Sequence, residues 1–260
     1  MDPATIIGVG MALVAIVGST IMEGGDIGAM FLIPPMILVF VGTFGAGIAG
    51  GLLSDAKNLP KAMIRSFTAK TPQPNAGVEK IVGFADRARR EGLLALEADV
   101  AEVDDPFMKR ALEMAVDGTD ADEVAEVLGA EVDAKRTADA AAAKTFSDMG
   151  AYAPTIGIIG TVLGLVHVLG NLDDPANLGH SIASAFVATL WGVMTANVFW
   201  FPIANRLKRL SEAECEQMEV VIEGVLAIQA GNNPRMIARK LNAMMTITPA
   251  ANPDEQKDAA

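Results

Sequence analysis

Three kinds of residue are scarce in this chain of 260 residues, and each scarcity closes off a class of function. A single cysteine, Cys215, leaves no partner for an intrachain disulfide, and its charged, helix-patterned setting reads as a reduced cytoplasmic thiol. Only two histidines occur, His167 and His180, both among apolar or small residues. Neither has the neighbours of a metal site or a catalytic triad, so both read as structural. Basic residues are outnumbered, with a net charge of −12 and a pI near 4.6, and they form no clustered face that would hold phosphates; no nucleic-acid partner is expected. A glycine-rich phosphate cradle and a paired nucleophile and base are both missing. The expectation is a non-enzyme with no cofactor.

The most informative absence concerns lysine and arginine, none of which precedes Lys57. An apolar run begins almost at Met1, yet it lacks the basic start of a secretory signal and reads as a retained helix. Stretches free of Lys, Arg, Asp and Glu fall at Pro3–Met22, Ile27–Ser54, Met149–Leu172 and Pro175–Asn205. Each reaches the roughly 20 residues that a helix needs to cross a bilayer. The chain therefore reads as an all-α integral membrane protein with four transmembrane helices in two hairpins, turning at Glu23–Asp26 and at Asp173-Asp174. All twenty basic residues lie in 57–144 or 206–257, which by the positive-inside rule makes those segments cytoplasmic, together with both termini.

The resulting organisation is 1–54 for the first two transmembrane helices, 55–148 for a helical cytoplasmic domain, 149–205 for the last two, and 206–260 for cytoplasmic helices and a tail. Within the cytoplasmic domain Val78, Ile81, Val82, Ala85 and Ala88 recur at three- and four-residue steps, and Leu93, Leu94 and Leu96 continue the apolar stripe. Gly118-Thr119-Asp120 marks a helix start, after which an alanine-rich, charge-laced run continues directly into the third crossing. The fourth crossing likewise extends through Leu207, Leu210, Met218, Val221, Val225 and Ile228 to Gly231-Asn232-Asn233-Pro234. A short helix, Arg235–Met245, follows, and the polar end Thr248–Ala260 is expected to be disordered.

None of the four spans carries a lysine, arginine, aspartate or glutamate in its interior. Moving a proton or sodium ion through a bilayer ordinarily requires a carboxylate at depth, so a conducting role implies a partner helix that supplies one. The third span places Ala153, Gly157, Gly160, Thr161 and Gly164 at helical steps, and the fourth Ser181, Ala185, Ala188, Thr189 and Gly192. Small residues of this kind permit close helix packing, while Thr161 and Thr189 can either pack, bond a neighbouring helix or ligate a cation. Pro154 and Pro202 lie near the cytoplasmic ends of these spans, where each removes a helix hydrogen bond; a static kink and a moving hinge are both open. Arg89, Arg90, Glu91 and Glu97 lie on or beside the amphipathic cytoplasmic helix as an ordinary solvated charge run.

Several stretches together resemble motility protein A, the larger subunit of the bacterial flagellar stator. They include Glu23-Gly24-Gly25-Asp26-Ile27-Gly28-Ala29 with Gly42-Thr43-Phe44-Gly45-Ala46, and the cytoplasmic run from Ala88-Arg89-Arg90-Glu91-Gly92 to Glu97. The most specific is Tyr152-Ala153-Pro154-Thr155-Ile156-Gly157-Ile158-Ile159-Gly160-Thr161-Val162-Leu163-Gly164-Leu165-Val166-His167, followed by the Gly192 and Pro202 region and Gly231-Asn232-Asn233-Pro234-Arg235. The resemblance implies a pentamer around two copies of a MotB-like, peptidoglycan-binding subunit whose membrane aspartate binds the ion, in the bacterial cytoplasmic membrane and among its lipids. It implies rotor-facing charges at Arg89 and Glu97 that engage a flagellar rotor switch protein, coupling prolines at Pro154 and Pro202, and ion-pathway hydroxyls at Thr161 and Thr189. A hydroxyl at Thr161 points to sodium rather than protons, with both threonines as transient sodium ligands. The alternatives are an energiser of envelope transport or integrity similar to ExbB and TolQ, which usually show three spans, and a membrane scaffold that conducts nothing.

Overall fold

A computed structural model describes residues 3–72, 74–170 and 175–245, which are helical throughout apart from turns and short connections. The first helix, α1 (Pro3–Met22), matches the expected first span. The second expected span, Ile27–Ser54, is divided: a 3₁₀ turn at Ile27–Met30 precedes α2 (Ile33–Ala49), and α3 (Leu53–Thr68) begins within its expected end. Local chemistry sets each break. The Asp26 carboxylate accepts from the Gly28 N–H at 2.8 Å and caps the turn, while proline just inside the start of α2 has the preset φ and missing donor that a first helical turn tolerates. Gly50 and Gly51 end α2, Leu52 is extended, and Asp55 accepts from the Leu52 N–H at 3.1 Å to start α3.

The cytoplasmic stripe is also shorter than its sequence suggests. Helix α4 (Pro74–Glu91) stops because Gly92 takes φ +88°, a conformation costly for any residue with a Cβ. Leu93–Leu96 then form a 3₁₀ turn leading into α5 (Glu97–Ala101); Leu96 is fully buried but Leu94 is 74% exposed, so Leu94 is off the stripe. Helix α6 (Pro106–Val116) is capped by Asp105, which accepts from Phe107 N at 2.9 Å. Helix α7 (Ala121–Leu169) starts after Gly118-Thr119-Asp120 and is continuous over 49 residues, with Pro154 inside it. Helix α8 (Pro175–Thr195) passes through a π-helical turn, Ala196–Trp200, into α9 (Phe201–Gln229). The last helix, α10 (Pro234–Met244), agrees with the expected one to within a residue. The Asp173-Asp174 turn and the tail from Thr248 lie outside the described residues.

Four helical stretches are long and apolar enough to cross a membrane: Thr5–Met22, Ile27–Ala49, and portions of Ala121–Leu169 and Leu178–Gln229. The chain divides into two compact units. One comprises residues 1–70 and 138–210; its core includes Phe146, Met149, Trp200 and Ile203, with Trp200 packed edge-on to Phe44 at 5.3 Å. Here Arg65 of α3 clasps Asp139 of α7 through two hydrogen bonds, at 2.5 and 3.2 Å. The other unit comprises 71–137 and the residues from 211 on, around Ile81, Leu96, Met108, Leu112, Leu128 and Leu241. Full burial of one such leucine contributes about 1.5–3 kcal/mol. Exposed ion pairs such as Arg136 with Glu219, at 2.6 Å, are screened by water and add little, so the apolar core dominates this unit. Cys215 is buried within that core and unbridged.

Candidate functional site in the α7–α8 helix pair

Glycine brings the transmembrane part of α7 against α8 at backbone distance. A Cβ added at Gly157 would stand 2.8 Å from the Ala188 carbonyl oxygen and 3.0 Å from the Thr189 Cα; one at Gly192 would stand 2.6 Å from the Ala153 carbonyl oxygen. At Gly164 the corresponding approach is 2.5 Å to the Ala185 Cβ. No larger residue fits these three positions without parting the helices. Close packing of this type is how helices associate where lipid removes the hydrophobic incentive.

The close approach places Thr161 and Thr189 oxygen to oxygen, 2.5 Å apart. Thr161 Oγ1 is also 3.0 Å from the Ala185 carbonyl oxygen and 3.2 Å from that of Gly157, while Thr189 Oγ1 reaches the Gly157 carbonyl oxygen at 3.3 Å. Each hydroxyl has one proton to donate. Four oxygens thus share two hydroxyl protons, leaving acceptor capacity clustered on the contact face. Around this cluster the described membrane-spanning residues of α7 and α8 include no Asp, Glu, Lys or Arg, and His167 stands six residues along α7 from Thr161.

Pro154 lies one helical turn before Gly157 on α7, and Pro202 follows the π turn at the head of α9. The π turn was not legible in the sequence. Phe201 N donates to Ala196 O, five residues back. Side chains also bond carbonyls in the preceding turns: Thr195 Oγ1 donates to Trp191 O at 2.7 Å and Asn197 Nδ2 to Val193 O at 2.8 Å. Pro202 has no N–H to return to the turn before it, the one sequence signal that the helix ladder is disturbed there. Trp191 is a second residue that the sequence reading missed. Its indole N–H donates to Met30 O at 2.6 Å and its ring lies 5.6 Å from those of Phe31 and Phe40, fixing α8 to the start of α2.

Toward the other end of the pair, a cleft of about 410 Å³ is lined by Pro35, Gly160, Gly164, His167, His180 and Ser184 among others. The two histidines thus face one cavity. No group of three metal-ligating side chains occurs among the described residues.

In the other unit, Arg89 is on the last turn of α4 and Glu97 opens α5, both exposed. Their neighbours neutralise one another: Arg87 holds Asp99 at 2.5 Å and Glu91 at 3.3 Å, and Arg90 holds Asp86 at 2.8 Å. The Asp99 carboxylate, then the Glu91 hydrogen bond, raise the Arg87 pKa above its ordinary value and keep that guanidinium charged. Arg89 and Glu97 form no ion pair with any described residue.

Residues 99–220 match the model of the MotA/TolQ/ExbB proton channel family. The chain is 38% identical to motility protein A of Bacillus subtilis over 245 residues, covering 93% of this chain and 90% of that one. The fold is similar to the flagellar MotAB stator complex of the same organism, with a TM-score of 0.87, 37% identity, and coverage of 99% of this chain and 100% of the other. It is also similar to C. jejuni MotAB, with a TM-score of 0.91, 27% identity, and coverage of 97% and 98%.

Proposed function

Since the chain belongs to the motility protein A group of the MotA/TolQ/ExbB proton channel family, and so is an ion-channel subunit of a flagellar stator, we propose that it works with a MotB-like, peptidoglycan-binding partner to turn inward sodium flow into torque. Five copies around two partner chains, in the bacterial cytoplasmic membrane with both termini inside, is the arrangement in which it acts. The observation that carries the ion reading is the Thr161–Thr189 hydroxyl contact of 2.5 Å where the described membrane-spanning residues of α7 and α8 carry no carboxylate. A partly dehydrated sodium ion needs several oxygen ligands, and these hydroxyls lower that cost beside a carboxylate from the partner. A proton needs only the carboxylate.

Torque leaves through Arg89 and Glu97, which meet opposite charges on the rotor switch protein. Support comes from their standing unpaired beside charges that are already satisfied within the chain. Pro154 and Pro202, beside the tight α7–α8 contact and the π turn, couple ion occupancy to a change of helix geometry. The four candidate spans favour this assignment over an ExbB- or TolQ-like energiser, whose chains usually have three.

The test is the swimming of cells relying on this stator over a sodium series at fixed pH, with and without a protonophore, alongside Thr161→Ala. Speed should rise with sodium, survive the protonophore and collapse in the variant. Swimming indifferent to sodium, abolished by the protonophore and normal in Thr161→Ala makes protons the carrier.

A further inference from the structure

A cleft of about 330 Å³ lies between α1 and the π turn with the first turns of α9. Its two ends differ chemically. Gly8, Val9 and Ala12 of α1 form an apolar wall, and Asn205, Arg206 and Arg209 of α9 form a polar, cationic one. Among the described residues no acidic one lines it, although the chain carries a net charge of −12. The cationic end begins where the charge-free run Pro175–Asn205 stops, which places it at the edge of the hydrocarbon layer. Arg209 is exposed and forms no ion pair with a described residue, whereas Lys135, Arg136, Lys144 and Lys240 each have a carboxylate partner. On the other wall, a Cβ at Gly8 would meet nothing within 4 Å, so the hollow there is open space and not a close helix contact.

We infer that this cleft is a binding site for an anionic phospholipid of the cytoplasmic leaflet, its phosphate held by Arg209 and Asn205 and its glycerol and upper acyl chain against Val9 and Ala12. A basic pocket between transmembrane helices at the cytoplasmic side attracts acidic headgroups. The adjoining apolar wall distinguishes a lipid from a free anion, for which it would be useless. Local charge decides the sign: on an acidic chain, a cleft whose described lining includes arginine and no carboxylate admits a negative headgroup. The inference rests on the inward orientation of the chain ends proposed above.

The experiment uses the full chain co-purified with its partner in neutral detergent, with retained lipid counted by native mass spectrometry. Dioleoylphosphatidylglycerol should be retained about tenfold better than dioleoylphosphatidylcholine, Arg209→Gln should lower its retention about fivefold, and Gly8→Leu should lower retention of both lipids by filling the hollow. Lys240→Gln, outside the cleft and paired with Glu223, should change nothing. Equal retention of the two lipids, or retention unmoved by both cleft variants, overturns the site. Displacement by sn-glycerol 3-phosphate at the concentration of added lipid makes it a free-anion site instead. A disulfide-linked dimer between chains carrying Gly8→Cys and chains carrying Asn205→Cys puts a second copy in the cleft and equally overturns it. Labelling of Arg209→Cys from outside the cell by an impermeant maleimide overturns the leaflet and the topology together, whatever the lipid counts; the sodium dependence of swimming reports on the ion reading separately.

Discussion

In residues 1–70 and 138–210 the helices that carry the hydroxyl pair meet through Gly157, Gly164 and Gly192, at distances where a single methyl would collide with backbone or a neighbouring Cβ. In residues 71–137 and from 211 on, helices of the same kind are held by buried Ile81, Leu96, Leu112, Leu128 and Leu241, with ion pairs on the surface. The two solvents explain the contrast. In water, apolar side chains gain by leaving the solvent, so larger ones hold better. In lipid they gain nothing by the exchange, and helices hold by removing side chains until backbones touch. The glycine rule belongs to the α7–α8 contact and not to its whole unit, where Phe146, Met149 and Trp200 form a side-chain core, while in the other unit a Cβ at Gly224 would stand 2.6 Å from the Ile81 side chain.

Substitutions that exchange the two rules should break the comparison most visibly. Gly192→Leu puts a side chain where a Cβ already stands 2.6 Å from the Ala153 carbonyl. Backbone cannot step aside as a flexible side chain can, so the cost should lie at or above the ~1–3 kcal/mol typical of overpacking. Complex recovered from membranes with the partner should fall to background; normal recovery would mean that the two helices tolerate separation. The opposite exchange, Leu112→Ala, empties a fully buried position in the aliphatic core and should cost about 2–5 kcal/mol. Hydrogen exchange in the full complex should then accelerate in α4 and α6 while α8 stays protected.

Smaller effects sharpen the contrast. Thr161→Ala removes an interhelical hydroxyl at about 0.6 kcal/mol, so recovery of the complex should be unchanged while sodium-dependent swimming is lost. Poor recovery would instead mark the hydroxyl as a packing element. Double reversal, Arg89→Glu with Glu97→Lys, should move the thermal midpoint least of all, since neither residue has an ion pair to lose, yet it should abolish swimming on unaltered rotors. Normal swimming would remove both residues from the torque path.

The same contrast explains what was legible in the sequence. Long charge-free runs announced the spans, because an ionisable group is expensive in lipid, and helical spacing of small residues put Thr161 and Thr189 on candidate contact faces. Hydropathy does not register where a helix breaks inside an apolar run. It therefore overran Gly50-Gly51-Leu52, where glycine and a capping carboxylate decide. Periodicity likewise carried the stripe past Gly92 and counted Leu94 as inward, although a positive φ had already turned the chain. The π turn left only an indirect trace in Pro202, because one wide turn alters hydrogen bonding without altering composition.

That wide turn also sets a phase. An α-helix advances roughly 100° per residue, and the π turn at Ala196–Trp200 takes up one surplus residue within itself, so the faces of α8 and α9 keep the phase that an ordinary helix one residue shorter would give. Deleting Asn197 should therefore let an ordinary helix run through with Thr189 still facing Thr161. Inserting one alanine between Thr189 and the π turn, with no second wide turn to absorb it, should swing Thr189 away by about that angle. The hydroxyl pair is thus shielded from one surplus residue by a turn made two turns away from it.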